Sequence, residues 1–230
     1  MKCFQTLEMG KHNKKVLFLL SGAYMNIRFF WVFTKIFELS GYYCVTYAYN
    51  KDVLSPDIGR TNISIQAISK DILARINRLK GSGYKSFSIF GTSLGSVMAL
   101  IVADESPDIS KIILNTVGVD MAETIWTWDS VFPGFKKNIL KQGIILPELK
   151  VMWQNITPIN HINNLANKEI LIYLSEKDEV IPINLGLQLI KAFDANNYKY
   201  TLIINKHLYH SFTCIYNLFN IKTYLKFLNA

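Results

Sequence analysis

The residues best suited to chemistry are a serine, an aspartate and a pair of histidines, and each follows a separate apolar segment. Ser93 stands between Gly91 and Gly95, after one short apolar run and before another. A strand, a sharp turn and a helix in this order would expose the serine oxygen at the helix N-terminus, where free N–H groups favour an anion. The spacing predicts a nucleophile, although a glycine-rich turn without any chemistry has the same pattern.

A serine hydroxyl becomes a good nucleophile when a neighbouring base takes its proton, and histidine is the natural base near neutral pH. The chain has four histidines. His207 and His210 follow the last predicted strand, so their loop should emerge at the same sheet edge as Ser93. His210 directly precedes the final predicted helix and is the preferred base, with His207 as the alternative. His12 and His161 lie in polar stretches and are expected at the surface.

The imidazole in turn needs a carboxylate that fixes its tautomer and stabilises its protonated form. Asp178 follows the strand predicted over 169–174 and is the preferred acid, although it could instead cap a turn or a helix. The competing carboxylates are Glu176, Glu179 and Asp120. The chain order Ser93, Asp178, His210 is the order found in one particular fold.

Strands that alternate with helices must position these residues. Apolar runs predict strands over 2–9, 16–20, 43–47, 87–90, 111–116, 169–174 and 198–204. Helical spacing predicts helices over 29–39, 63–79, 97–102, 183–193 and 212–228. This alternation predicts an α/β fold with a mostly parallel sheet, helices on both faces and a crevice at the carboxyl ends of the strands. Residues 1–230 are expected to form a single domain, with a cap-like, aromatic-rich insert at about 118–158, where the pattern loosens.

Composition narrows the class of protein. The 25 Lys and Arg exceed the 17 Asp and Glu, but the lysines are scattered, so a solvated basic surface is expected and nucleic-acid binding is not. No apolar run reaches the ~18 residues of a membrane span, so no stable membrane insertion is expected. Three cysteines without paired spacing favour a reducing compartment, and the cytoplasm is the expected location. The histidines and cysteines lack metal-ligand spacing.

The pieces around the three residues resemble the α/β-hydrolase superfamily of serine hydrolases. The resemblance runs from Val16 to the final helix, and Gly91–Gly95, the segment 178–182 and the histidine before the last helix carry it. The segment 157–160 also resembles the end of the lid in esterase-like members. The sequence departs from the family at Ser21-Gly22, where members often have His-Gly, and at Ser96, where many have glycine.

This resemblance implies roles for the residues. Ser93 would be the nucleophile, Asp178 the acid and His210 the base, with no metal or organic cofactor. The oxyanion would be held by the backbone N–H of Leu94 and by that of Ala23 or Tyr24. The insert would cover the site and form an apolar acyl pocket from Met121, Trp126, Trp128, Phe132 and Trp153. The aromatic residues among these could instead pack the insert onto the body of the protein.

The function expected on this basis is hydrolysis of a carboxylic ester or thioester with a moderately apolar acyl group. The partner is then a small-molecule acyl ester or thioester, and the oligomeric state stays open. An acyltransferase that uses the same acyl-enzyme is one alternative. A catalytically silent ligand-binding protein on the same fold is another, because a fold does not determine a function.

Overall fold

A computed structural model describes residues 3–50, 53–127 and 134–230 of the chain. Within these residues, one sheet contains seven strands, in the order β1-β3-β2-β4-β5-β6-β7. Their bounds are β1 Phe4–Met9, β2 Lys15–Leu20, β3 Tyr42–Tyr49, β4 Ser86–Thr92, β5 Ile109–Asn115, β6 Glu169–Ser175 and β7 Tyr200–Asn205. The edge strand β1 pairs antiparallel with β3, and the other neighbours pair parallel. The predicted α/β class and mostly parallel sheet are confirmed.

Helices cover both faces of this sheet. Their bounds are α1 Ile27–Leu39, α2 Ile58–Gly81, α3 Leu94–Glu105, α4 Met121–Trp126, α5 Phe135–Leu140, α6 Leu146–Met152, α7 Ile183–Ala195, α8 His210–Leu218 and α9 Ile221–Asn229. Helices α1, α8 and α9 share one apolar core with one face of the sheet, and α2, α3 and α7 share a larger core with the other. None of the helices in the described part of the chain has the length and apolarity needed to cross a lipid bilayer.

The central strands form where the sequence has continuous apolar runs. All eight residues of β3 are buried, and in β2 every residue except Lys15 is buried. Strands that are covered by helices on both faces need such runs, because neither face of the sheet meets water. The last strand, β7, lies at the sheet edge and is only half-buried. Ser93 follows β4, Asp178 follows β6 and His210 follows β7, so all three candidate residues come after the carboxyl ends of parallel strands in one half of the sheet.

Helix α2 is longer than its apolar spacing predicts. Ile65, Ile68, Ile72 and Ile76 are buried along one face, as the spacing predicts. The helix nevertheless begins at Ile58, because the Asp57 side chain accepts a hydrogen bond from the N–H of Arg60 and caps the first turn.

The C-terminal segment contains two helices where the sequence predicts a single helix over 212–228. Helix α8 begins earlier, at His210, and ends at Leu218, and α9 begins at Ile221. The break lets Tyr224 turn into the core, where its hydroxyl donates to the carbonyl of Asn217 and its ring packs against Phe90. The prediction of one helix was wrong because apolar spacing does not register this break.

Candidate active site

Ser93 stands at a strained turn between β4 and α3. Its backbone has φ 52° and ψ −118°, a conformation that a non-glycine residue rarely adopts. The turn holds because the Ser93 N–H donates to the carbonyl of Asn115, at 2.8 Å. Close backbone approach also demands the two glycines: a Cβ on Gly91 would lie 2.4 Å from the Gly95 carbonyl oxygen, and one on Gly95 would lie 2.4 Å from the carbonyl oxygen of Leu20.

The structure brings Ser93, His210 and Asp178 together in the predicted order. His210 Nε2 lies 3.0 Å from Ser93 Oγ. On the other side of the ring, His210 Nδ1 lies 2.9 and 2.8 Å from the two carboxylate oxygens of Asp178. Both His210 and Asp178 are buried. Asp178 Oδ1 also accepts the N–H groups of Val180 and Ile181, at 3.0 and 2.7 Å, so the carboxylate is fixed by its own loop.

The same loop also holds the backbone of His210. The Glu179 carboxylate accepts the N–H of His210 at 2.9 Å, at the first residue of α8. Ser175, at the end of β6, donates its hydroxyl to the carbonyl of Leu208 at 2.5 Å. Adjacent carboxylates therefore hold His210 at two points, Asp178 at the ring and Glu179 at the backbone.

Of the alternative bases and acids, Glu179 lies at the backbone of His210, and the others lie away from Ser93. His207 is exposed, and so are His12 and Glu176. Asp120 caps α4 by accepting the N–H of Glu123 at 3.0 Å. The expectation that His161 lies at the surface was wrong: it is half-buried, with Nε2 3.0 Å from the carbonyl of Asn155.

A chain of amide side chains connects the serine turn to α8. Asn115 donates its side-chain amide to the carbonyl of Cys214 at 3.1 Å and accepts the amide of Asn217 at 2.7 Å. Asn217 in turn accepts the amide of Asn205 at 3.1 Å. Because the backbone carbonyl of Asn115 also accepts the Ser93 N–H, this residue links the serine turn and the helix that carries the histidine.

The surroundings of His210 favour its protonated form. Burial by itself lowers the pKa of the imidazole, but the Cys214 sulfur, 3.7 Å from Nε2, and the Asp178 carboxylate both raise it. The net result is a pKa of His210 above its ordinary value of about 6.5. A base with a raised pKa binds its proton more tightly, and it is neutral only at correspondingly higher pH.

A cavity of about 250 Å³ opens beside Ser93 and His210. Its walls are mostly aliphatic, and the apolar residues that line it are Ala23, Leu54, Leu94, Val97, Met121, Ile125, Pro158, Val180 and Ile181. Tyr24, Gly118, Thr124, Glu179 and Ser211 complete the lining. The insert contributes Met121 and Ile125 from α4, so it forms one wall of this cavity.

The predicted pocket residues divide into three groups. Met121 lines the cavity. Trp126 and Trp153 do not, and this part of the prediction was wrong. Trp153 is fully buried and donates its indole N–H to the carbonyl of Ile58 at 3.1 Å, so it packs the insert onto the body. Trp126 is half-buried, and the Lys136 ammonium lies 4.9 Å from its ring centre. Trp128 and Phe132 lie outside the described residues.

The backbone groups expected to hold an oxyanion border the same cavity. Helix α3 begins at Leu94, whose N–H belongs to the positively polarised end of that helix. Ala23 and Tyr24 follow β2 and line the cavity opposite. Ser21 is buried and donates its hydroxyl to the carbonyl of Gly22 at 3.1 Å. In residues 3–50, 53–127 and 134–230, no three His, Cys, Asp or Glu side chains gather in a way that could hold a metal ion.

Several residues of the site were missed by sequence reasoning. Leu54, Val97 and Ile181 line the cavity, but each looks like an ordinary core residue in the sequence. Asn115 could have been found, because a polar residue that ends a central strand beside the serine turn stands at the crevice edge. Its partners on α8 give no such signal, since they are a hundred residues away in the chain.

The chain is similar to known proteins both in sequence and in fold. The sequence model of the prolyl oligopeptidase family, Peptidase S9, matches residues 68–229. No curated protein matches the sequence significantly.

Three solved structures illustrate the similarity. A puromycin-hydrolyzing peptidase of Mycobacterium tuberculosis has 13% identity and a TM-score of 0.69, and 94% of this chain aligns with 34% of it. The acylaminoacyl peptidase of Pyrococcus horikoshii has 15% identity and a TM-score of 0.71, and the whole of this chain aligns with 42% of it. Esterase B of Lactobacillus rhamnosis has 14% identity and a TM-score of 0.64, with 99% of this chain and 86% of that one covered. This chain therefore spans less than half the length of each of the two peptidases.

Proposed function

The chain belongs to the prolyl oligopeptidase family, within the α/β-hydrolase superfamily of serine hydrolases, and on this premise we propose that it cleaves a carboxylic ester or thioester of a moderately apolar acyl group. One observation carries the proposal: Ser93 Oγ lies 3.0 Å from His210 Nε2 at the wall of a mostly aliphatic cavity. A serine hydroxyl within hydrogen-bond reach of an imidazole that a carboxylate orients is the arrangement required for nucleophilic acyl transfer.

In the proposed reaction, Ser93 Oγ attacks the acyl carbon while His210 Nε2 takes its proton. The C–O or C–S bond to the leaving group then breaks, and the imidazolium returns the proton to that group. Water then attacks the acyl carbon of the acyl-enzyme while His210 takes its proton. The bond to Ser93 Oγ breaks, the proton returns to Ser93, and the acid is released. Asp178 stays ionised and stabilises the imidazolium through Nδ1.

The proposed oxyanion donors are the N–H of Leu94 and that of Ala23 or Tyr24. Leu94 supports this role because it is the first residue of α3 and directly follows the nucleophile. Such donors act on charge that develops during the reaction, and removal of one costs roughly 3–4 kcal/mol of transition-state stabilisation in enzymes where this was measured.

The two cavities beside Ser93 suit different parts of a substrate. The cavity of about 250 Å³ has aliphatic walls that suit an acyl chain. A smaller cavity of about 150 Å³ also borders Ser93 and His210, and its other lining residues include Gly22, Met25, Cys214 and Ile215. We propose that the larger cavity takes the acyl group, that the smaller one takes the leaving group, and that the insert at 118–158 acts as a cap.

Peptide hydrolysis is the second candidate, because the family description and two of the similar structures name peptidases. An acyltransferase that uses the same acyl-enzyme, and a silent ligand-binding protein, are further alternatives. The aliphatic walls favour the ester proposal: among the lining residues that the structure describes, Glu179 is the one carboxylate, and it already accepts the N–H of His210.

Matched substrates separate these candidates. Hydrolysis of p-nitrophenyl esters with increasing acyl length should be compared with that of p-nitroanilides carrying the same acyl groups and of aminoacyl p-nitroanilides. We expect ester turnover with an optimum at intermediate chain length, and loss of that turnover in Ser93→Ala. Faster cleavage of aminoacyl anilides would favour the peptidase, and acyl transfer to an added alcohol in preference to water would favour the acyltransferase. Full ester turnover in Ser93→Ala would contradict the assignment.

A further inference from the structure

Helix α8 presents apolar side chains on two opposite faces. One face packs into the protein and includes Cys214 and Leu218. The other points to solvent, and we call it the α8 apolar face: Phe212, Ile215, Tyr216 and Phe219, with 67%, 41%, 61% and 68% of their surface exposed. These four residues recur at the spacing of three and four that places side chains on one side of a helix. Isolated exposed apolar residues are common, but a contiguous group of this kind marks an interaction site.

The α8 apolar face adjoins the active site. Ile215 belongs to that face and also lines the smaller cavity beside Ser93 and His210. Ser211 lines both cavities and directly precedes Phe212. Whatever covers the α8 apolar face would therefore lie at the entrance to the reactive serine.

Exposed apolar residues of α1 lie on the same side of the sheet. Helix α1 shares a core with α8 and α9, and the ring of Phe33 packs 6.4 Å from that of Tyr224. On its outer surface, Phe29, Trp31 and Val32 are 41%, 49% and 53% exposed. Aromatic side chains of this kind, with apolar bodies and polar tips on Tyr and Trp, are those that favour the boundary between water and lipid.

The net positive charge of the protein comes from the segments of the chain that contain these helices. Residues 9–39, which contain α1, and residues 195–230, which contain α8 and α9, hold nine Lys and Arg and one acidic residue, Glu38. The rest of the chain holds 16 Lys and Arg against 16 Asp and Glu, so these two segments account for the whole net positive charge. Arg28 and Lys206 stand close in sequence to the exposed aromatics and are themselves exposed.

We propose that the α8 apolar face docks on the surface of an anionic lipid bilayer, with its aromatic side chains in the interface and the basic segments against the headgroups. Basic residues around an aromatic, apolar helix face are typical of peripheral attachment, and anionic lipids attract such a surface. A second copy of this chain is a poorer occupant, because two surfaces with a net basic charge repel each other. Docking would place the entrance to Ser93 against the bilayer, so acyl groups could reach it without crossing bulk water.

Vesicle flotation tests this proposal. Full-length protein is mixed with vesicles of phosphatidylcholine alone or of phosphatidylcholine with an equal part of phosphatidylglycerol. The test variant is Phe212→Ser with Tyr216→Ser. The matched control is Ile63→Ser with Val151→Ser, two residues that are 71% and 67% exposed on α2 and α6, away from the α8 apolar face.

We expect binding to the anionic vesicles that weakens with added salt, about tenfold weaker binding of the test variant, and unchanged binding of the control. No binding to anionic vesicles, equal binding to both vesicle types, or equal loss in both variants would overturn the proposal. So would a stable dimer in sedimentation that the test variant alone dissociates. The readout is independent of the proposed catalysis: Ser93→Ala should bind vesicles like the unsubstituted protein, and failure of either proposal leaves the other standing.

Discussion

The backbone carbonyl of Asn115 accepts the N–H of Ser93 at 2.8 Å, so the last residue of β5 holds the turn that exposes the serine hydroxyl. Through its side chain the same residue donates to the carbonyl of Cys214, one helical turn after His210. Asn115 therefore sets the position of α8 relative to the serine turn. Asn115 is not among the residues that line the two cavities beside Ser93, so it is a positioning residue.

Asn115→Ala should reduce kcat while KM changes little, because loss of the amide lets His210 shift relative to Ser93. Misplacement of a reacting group by about an ångström costs roughly a hundredfold in rate, and we expect a loss of tenfold to a hundredfold. Steady-state kinetics with a p-nitrophenyl ester measure the split. Asn160→Ala, which removes an exposed amide that donates to the carbonyl of Gln154 at 2.9 Å, serves as the control. A folded Asn115→Ala protein with full kcat would contradict the positioning role.

Much of the fold could be predicted because its signals are local. Continuous apolar runs mark strands that are buried on both faces, and the spacing of Ile65, Ile68, Ile72 and Ile76 marks α2. The break between α8 and α9 could not be predicted, because it depends on the packing of Tyr224 against Phe33 and Phe90, which belong to elements distant in the sequence. The insert was harder still, because α4, α5 and α6 span only six or seven residues each, too few for a clear period.

Gly95→Ala should destabilise the protein strongly. The added Cβ would meet the backbone carbonyl of Leu20 at 2.4 Å, and a backbone atom in a central strand cannot move aside. We expect the free energy of unfolding to fall by about 3 kcal/mol, as for severe overpacking of a core. Gly81→Ala is the matched control: nothing lies within 4 Å of its Cβ position, and it ends α2, so we expect a gain of about 0.5 kcal/mol. Urea unfolding measures both, and equal stability of the two variants would refute the steric argument.

Activity should rise with pH through a limb that lies above pH ~6.5, because His210 accepts a proton only when neutral and its pKa is raised. Burial lowers the pKa of His210, but Cys214 and Asp178 raise it by more. Cys214→Ala removes one of the two groups that raise this pKa, so the limb should move to lower pH. The measurement is kcat/KM for an ester across the pH range in which the protein stays folded.

Cys44→Ala is the control for that shift, since Cys44 is equally buried but lies in β3, and its sulfur contacts the carbonyl of Tyr42 at 3.8 Å. The limb of this variant should coincide with that of the unsubstituted protein. A limb that stays in place in Cys214→Ala, or one that moves equally in both variants, would show that the sulfur does not stabilise the imidazolium.

Acyl-chain preference should depend on Met121 and not on Trp153. Met121→Ala enlarges the cavity wall, so the preferred p-nitrophenyl ester should become longer by a few carbons. Trp153→Phe removes the hydrogen bond to the Ile58 carbonyl, which should cost about 1 kcal/mol of unfolding free energy and leave the chain preference unchanged. Chain-length profiles and urea unfolding test the pair. A shifted chain-length preference in Trp153→Phe would contradict this and indicate that Trp153 lines the acyl pocket.

Trp153 also illustrates why the pocket was harder to predict than the reactive residues. The residues Ser93, Asp178 and His210 could be predicted from their types and order. A serine, an aspartate and a histidine that each follow a strand fit the roles of nucleophile, acid and base. A tryptophan in an insert has no such signature, because an aromatic ring lines a pocket and fills a core equally well. The position of its indole N–H, aimed at the Ile58 carbonyl, is what distinguishes the two.

The most direct measurement is the site and rate of labelling by a fluorophosphonate, followed by intact mass and peptide mapping. If His210 and Asp178 activate Ser93, one adduct forms on Ser93, and its rate falls by orders of magnitude in His210→Ala, while His207→Ala labels like the unsubstituted protein. An adduct on another serine, or unchanged labelling of Ser93 in a folded His210→Ala protein, would contradict the account.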